Sequence, residues 1–337
     1  MIIVMKQGAS PSQIRAIKEE IEGLGLSPFI ETGSERTIIG VVGDDRAVQL
    51  DHFYTLHGVE KVIPILKPYK LVSREFQPDG TQISVKGQVI GGKKIQVIAG
   101  PCAIESPEQL RMAAHAVKKA GVTIMRASAF KPRTSPYDFQ GTGEEGLKWL
   151  KQIGEEEELV TETEVMDPRD VALVGRYADI LRVGARNMQN FDLLKEVGQI
   201  NKPVVLKNGL ASTMKEFLLA AEYIMSQGNK NVILCYRGIR SFETAIRFPL
   251  DIGMIPLLKK ETHLPVIIDP SHSMGRPDIV PEASCGMIAA GADGLLVDVH
   301  CHPDEALCDG KQALQPEHFY PMMENLRKIA VAIGREL

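Results

Sequence analysis

The chain has 337 residues, which at ~150 residues per domain points to two domains, or to one large α/β barrel with an appendage. Hydrophobic residues make up 44% and charged residues 24%, which excludes a disordered chain, and 39 Lys and Arg against 43 Asp and Glu lack the basic excess of a nucleic-acid binder. No run approaches the ~18 apolar residues of a membrane span, the apolar start is too short for a signal peptide, and the cysteines contain no C-x-x-C pair, so a soluble, cytoplasmic, disulfide-free protein is expected.

Residues 1–66 read as a small unit. A strand at 2–5 precedes a helix at 10–24, where Ile14, Ile17, Ile21 and Leu24 share a side and Ser10 and Pro11 form the start. Strands at 27–30 and 36–42 flank a Thr32-Gly33-Ser34 turn, and a helix at 44–56 and a strand at 59–66 complete a β-α-β-β-α-β order, the ferredoxin-like plan. Such a unit serves either as a stability or dimerisation appendage or as a regulatory domain. Residues 67–94 form a linker and hairpin. The linker part, 67–81, has Pro68, Pro78 and Gly80 and no period. Short strands at 83–85 and 88–90 then flank Lys86-Gly87, a hairpin suited to plug the bottom of the domain after it.

From residue 95 to 337 a rhythm appears. Apolar runs lie at 95–99, 122–125, 159–161, 180–183, 203–206, 232–235, 265–268 and 294–297. Helical patterns alternate with them at 108–120, 144–156, 167–177, 213–226 and 283–290, and a last helix ends near Ile333. Eight such units in ~250 residues predict a (β/α)₈ barrel. The alternative is an open doubly wound sheet, but AGPCAIES after the first run has no glycine fingerprint of a dinucleotide site.

In a barrel the chemistry lies just past the C-terminal strand ends. Those positions hold Cys102; Arg126 with Lys131, Arg133, Thr134 and Ser135; Glu162; Arg186; Lys207 and Asn208; Arg237 and Arg240; Asp269 and His272; and Asp298 and His300, with Asp309 beyond. A single arginine there is ordinarily a surface ion pair, and a single cysteine a small buried hydrophobe. Every strand end carrying an ionisable or metal-capable group points instead to one shared site. Arg126, Lys131, Arg133, Arg186, Lys207 and Arg237 crowd like charges, an arrangement that calls for small phosphate or carboxylate anions. Cys102, His272, Asp298 and Asp309 offer thiolate, imidazole and carboxylates, a set that suits Mn, Fe, Co or Zn better than Mg or Ca. His300-Cys301-His302 is a competing metal cluster, disfavoured because strand alternation points its members in different directions.

The runs AGPC, RASAFKPRTSPYDFQG, GARNMQNF, LKNG, RGIRSFE, DPSHS and DGKQ resemble class I 3-deoxy-D-arabino-heptulosonate 7-phosphate (DAHP) synthases over roughly residues 67–337. The front unit resembles the ferredoxin-like regulatory domain fused to some members. The resemblance implies condensation of phosphoenolpyruvate (PEP) with erythrose 4-phosphate, the entry to the shikimate pathway. It places Cys102, His272, Asp298 and Asp309 at metal positions, and Arg126, Lys131, Arg186, Lys207 and Arg237 around PEP. Arg133, Thr134 and Ser135 fall around the erythrose phosphate, and Glu162 near the reacting water. Lys131, Glu162 and His272 are thereby the candidate catalytic side chains, with neighbouring cations expected to lower the Lys131 pKa toward working pH. Feedback by tyrosine or phenylalanine and a homotetramer are further implications. The chain departs from the family in having Asp298 where Glu is usual, Ala127-Ser128 for a more usual glycine pair, and Tyr236 where some relatives have Glu. Two rival readings keep the fold: a sister synthase acting on arabinose 5-phosphate, and a non-catalytic barrel serving as amino-acid sensor or scaffold.

Overall fold

The computed structural model of the chain describes residues 1–33, 36–43, 50–63 and 68–337. It forms two compact units, Met1–Asp79 and Gly80–Leu337.

In the first unit β1 (Ile2–Met5), the helix Pro11–Gly23, β2 (Ser27–Thr32), β3 (Thr37–Val42), the short helix Leu50–Tyr54 and β4 (Val59–Ile63) come in order. The antiparallel sheet runs β2-β3-β1-β4, which is the ferredoxin-like plan. The first helix starts as its sequence predicts. Ser10 Oγ accepts from the Gln13 N–H, the Gln13 side chain accepts from the Ser10 N–H, and Pro11 takes the first position. Ser34 of the expected turn, residues 44–49 of the expected helix and 64–66 of the last strand lie outside the described residues. One sheet face packs Ile3, Met5, Ile39 and Val41 with Ile17, Ile21 and Phe53. The other is covered by the segment read as linker: Phe76 lies edge-on to Phe29 at 5.9 Å, and a Cβ on Gly40 would come within 2.6 Å of its ring.

The second unit opens with the hairpin β5 (Ile83–Val85) and β6 (Gln88–Ile90). Lys86 and Gly87 both adopt positive φ, the geometry that a two-residue hairpin turn needs. Eight parallel strands come next: β7 (Gln96–Gly100), β8 (Ile124–Arg126), β9 (Val160–Val165), β10 (Ile180–Val183), β11 (Val204–Lys207), β12 (Val232–Tyr236), β13 (Val266–Ile268) and β14 (Gly294–Asp298). Each pairs with the next, and β14 pairs with β7, so the sheet closes into a barrel rather than staying open.

Strand alternation fills the barrel in layers. Ile98, Ile124, Val160, Ile180, Val205, Ile233, Ile267 and Leu296 form one apolar cluster, with Ile83 and Ile90 of the hairpin packed into it. The hairpin thus closes one end. Two residues further along each strand the same face carries Gly100, Arg126, Glu162, Arg182, Lys207, Cys235, Asp269 and Asp298. Apart from Gly100 and Cys235, the interior changes from hydrocarbon to charge in one pleat. Among the described residues no helix is long and apolar enough to cross a membrane.

Candidate active site

Gly100 ends β7 under close approach: a Cβ there would sit 2.2 Å from the Arg126 carbonyl oxygen. That contact lets Cys102 turn inward. Asp269 comes directly after β13 and caps the short helix Pro270–Met274, its Oδ1 accepting from the His272 N–H at 2.9 Å. This places the imidazole of His272 beside Cys102. Asp309 enters from the loop after β14, in the left-handed region at φ 54°, a strained conformation of the kind that functional sites retain.

These side chains converge. Cys102 Sγ lies 3.1 Å from Asp309 Oδ2 and 3.7 Å from His272 Nε2. His272 Nε2 lies 3.6 Å from Asp309 Oδ2, and Nδ1 lies 2.9 Å from Asp269 and 3.5 Å from Asp298. Cys102, His272 and Asp298 form one group able to hold a metal ion, and Cys102, Cys308 and Asp309 another. A hydrogen bond with Cys308, working against the cost of burial, and the charges of Lys131 and Arg126 hold the Cys102 thiol well below its usual range. Burial opposes protonation of His272, but Asp269 and Asp298 raise it to about 10. Thiolate character and an imidazolium amid carboxylates form a donor set that fits a divalent transition metal, which would displace the imidazole proton. His300, Cys301 and His302 do not join it: His300 instead faces Glu105 at 3.5 Å.

Around this cluster lies a cationic mouth. A pocket of about 150 Å³ is lined by Lys131, Arg133, Thr134, Arg186, Lys207, Arg237, Arg247 and His272, among others. Arg126, Lys131, Lys207 and Arg237 are buried, while Arg186 is exposed and donates to Thr134 Oγ1 at 3.2 Å. Arg126 is paired with Asp298 and Lys207 with Asp269. Arg237 stacks on Phe248, 3.8 Å from the ring centroid, and burial lowers its pKa to about 10, so it stays charged at neutral pH. Arg126 Nε and Arg237 Nη1 are buried donors with no hydrogen-bond partner, and such groups ordinarily have one. Arg133 is held by Asp138 at 3.2 Å and the Phe139 carbonyl at 3.1 Å. Ser135 is not part of the pocket lining; its hydroxyl accepts from the Tyr137 N–H.

Lys131 departs from expectation. Its Nζ donates to Cys102 Sγ at 3.1 Å and lies 3.9 Å from Glu164. Burial pulls its pKa down, but the Cys102 thiolate and Glu164 outweigh both burial and the neighbouring cations, so it rises instead of falling. Glu162 lies inside β9 rather than beyond it. Burial raises its pKa, with Arg182, Arg126 and Lys207 pulling the other way, and its Oε1 has no hydrogen-bond partner.

A family model described as "DAHP synthetase I family" matches residues 80–332, and one described as "DAHP synthase ferredoxin-like domain" matches residues 1–67. The chain belongs to the DAHP synthase family. It is 48% identical over 334 residues to the phospho-2-dehydro-3-deoxyheptonate aldolase of Thermotoga maritima, covering 99% of both chains. A crystal structure of the DAHP synthase from T. maritima matches with a TM-score of 0.79 and 47% identity, over 99% of this chain and 98% of that one. A more distant relative, a 2-dehydro-3-deoxyphosphooctonate aldolase of Syntrophobacter fumaroxidans, is 31% identical over 73% of this chain and 90% of its own length.

In this member of the DAHP synthase family the mouth also uses side chains that sequence reading did not single out. Arg182 is buried in β10, donating to Glu162 at 2.8 Å and Glu164 at 3.4 Å. Gly184 leaves room for Glu164, whose carboxylate would otherwise lie 2.0 Å from a Cβ. Arg247 donates to Asp309 at 3.3 Å and Gln312 at 2.6 Å, and Gln312 donates to Asp298 at 2.8 Å. Strand alternation from Ile180 and from Glu162 signals Arg182 and Glu164, while Arg247, in a long loop, has no such signal.

Proposed function

We propose that this enzyme condenses phosphoenolpyruvate with erythrose 4-phosphate and water to give DAHP and phosphate, the first step of the shikimate route to aromatic amino acids. The observation that carries the reading is that, of three buried guanidinium donors left unsatisfied (on Arg126, Arg182 and Arg237), those of Arg126 and Arg237 lie beside a thiolate-imidazole-carboxylate cluster. Donors left unpaired in a buried mouth are complementary to a ligand rich in acceptors.

Arg126, Lys131, Arg186, Lys207 and Arg237 hold the phosphate and carboxylate of PEP. Arg133 and Thr134 serve the phosphate of the second substrate, Thr134 linked to the PEP side through Arg186, while Ser135, outside the pocket lining, holds the adjoining turn through the Tyr137 N–H. The C3 carbon of PEP attacks the aldehyde carbon, the new C–C bond forms, and the aldehyde oxygen takes a proton. Lys131 stands over this oxygen as a persistent ammonium, stabilising negative charge and able to pass its proton to an alkoxide, a stronger base than itself. Water, oriented by the unpaired Oε1 of Glu162, then adds at the electron-poor C2, the former enol phosphate carbon, and loses a proton to give a hemiketal phosphate; loss of its hydroxyl proton as the C2–O bond to phosphate breaks leaves the ketone and inorganic phosphate. A divalent ion (Mn, Fe, Co or Zn), when held by Cys102, His272 and Asp309 beside Asp298, supplies Lewis acidity for the carbonyl. His272 is thereby a holding group rather than a proton carrier.

The front unit, by its match to the family's ferredoxin-like domain, is read as a site of feedback by tyrosine or phenylalanine in a cytoplasmic homotetramer. The test of the main reading is phosphate release from PEP with each sugar phosphate. Turnover with erythrose 4-phosphate, lost in excess chelator and restored by a transition metal, is expected. A higher kcat/KM with arabinose 5-phosphate, or undiminished turnover in chelator, overturns the substrate or the metal assignment respectively.

A further inference from the structure

We infer that Asp298 is not a metal ligand in this chain: the ion is held by Cys102, His272 and Asp309, and Asp298 is a positioning residue that fixes both the His272 ring and Arg126. The inference rests on the metal-dependent reading above and deepens it.

Spacing gives the first argument. Cys102 Sγ, His272 Nε2 and Asp309 Oδ2 are separated by 3.1, 3.6 and 3.7 Å. A tetrahedral ion with bonds of about 2.0–2.3 Å sets its ligand atoms about 3.3–3.6 Å apart. These three atoms already surround one point at nearly that spacing.

The imidazole gives the second. Its two nitrogens look out of different ring edges, so one ion takes only one of them. Nε2 faces Cys102 and Asp309, whereas Nδ1 faces Asp269 at 2.9 Å and Asp298 at 3.5 Å. Asp298 therefore stands at the edge turned from the ion. There, carboxylates customarily fix the tautomer and tilt of a ligating histidine.

The third argument is occupancy. One Asp298 oxygen takes the Arg126 guanidinium, and the other accepts from Gln312 at 2.8 Å. The carboxylate lies close enough to Cys102 and His272 to complete a ligand set with them. To ligate through its Oδ2, however, it would have to give up Gln312, while its Oδ1 stays committed to Arg126, a fully buried cation whose direct salt-bridge partner is Asp298. Aspartate is also one methylene shorter than the glutamate that the family resemblance places here. The shorter side chain stays with Arg126, and Gln312 and Arg247 tie it to the loop that carries Asp309.

The test uses the full chain stripped with chelator and reloaded with Co(II), whose visible spectrum reports coordination and whose near-ultraviolet charge-transfer band reports the Cys102 thiolate. Asp298→Asn is expected to keep the band positions and the Co(II) stoichiometry. Its KM for PEP should rise about tenfold, by more than kcat falls, because Arg126 loses a charged partner. Asp309→Asn is expected to alter the visible bands. Asp298→Glu reads the same question with charge retained: the longer side chain reaches the ion, so visible intensity falls as coordination rises and Co(II) binds about tenfold tighter. Visible bands lost in Asp298→Asn as they are in Asp309→Asn would show that Asp298 is a ligand and overturn the inference alone. A parent chain without the thiolate-to-cobalt band would overturn the metal reading itself, and the inference with it.

Discussion

Arg182 illustrates how this mouth tolerates charge. It is fully buried in β10, and its guanidinium serves two carboxylates, Glu162 and Glu164, that stand on one face of β9. Arg182→Met would leave both acids buried with a lost partner, so a loss of about 3–5 kcal/mol in urea unfolding is expected. Adding Glu164→Gln should recover part of that loss, because the two changes share one network. Glu162 itself carries a pH prediction. Burial raises its pKa, so its carboxylate protonates at a higher pH than an exposed glutamate. The ionised form orients water in the proposed reaction, so kcat/KM falls on the acid side as that form is lost. Glu162→Gln should lower kcat/KM and flatten this acid limb, and a limb unchanged in the variant would assign it to another group. Sequence reading reached Glu162 from its place near a strand end but passed over Arg182, which sits within a run otherwise made of Ile, Leu and Val. The alternation that puts Ile180 inward puts Arg182 inward too. What the sequence withholds is the partner, because Glu164 and Arg182 meet only through the β9–β10 register.

At the level of elements, the barrel was legible from the rhythm of eight apolar runs and intervening helices, and its site from the fact that most strands pair an apolar inward residue with a functional one two positions on. Val205 with Lys207 and Ile267 with Asp269 show the pattern. The same logic hid the limits of strands: β9 continues through Glu162 and Glu164 to Val165, because a barrel interior admits charge once counter-charges close around it. The segment before the hairpin does more than its pattern suggests. Its prolines and lack of period suggest a free linker, yet Phe76 is an anchor on a sheet face that Gly40 leaves open. The hairpin tests whether the lower layer is a true core. Ile90 is fully buried in the barrel's apolar cluster, so Ile90→Ala should cost about 2–5 kcal/mol, seen as a lower urea midpoint at unchanged slope. Because Ile90 belongs to the hydrocarbon layer and not to the charged one, KM for PEP should stay within about twofold of the parent.

For the whole molecule, the decisive feature is that each unit completes its own core. The sheet Met1–Asp79 buries one face under its helices and the other under Phe76, while the closed barrel of Gly80–Leu337 has no strand edge left to pair and is plugged by its own hairpin. Every side chain of the proposed active site belongs to the second unit. Deletion of residues 1–79 is therefore expected to leave a barrel that unfolds cooperatively and still releases phosphate from PEP and erythrose 4-phosphate. If the first unit is the regulatory part, the truncated barrel also loses inhibition by tyrosine or phenylalanine while the full chain keeps it. The measurement is an inhibition curve for each amino acid on both forms, at matched turnover. Inhibition retained in the truncated barrel would move the effector to the barrel itself. A barrel that folds but is inactive would mean that the first unit completes the catalytic machinery, a role that no side chain in the mouth requires.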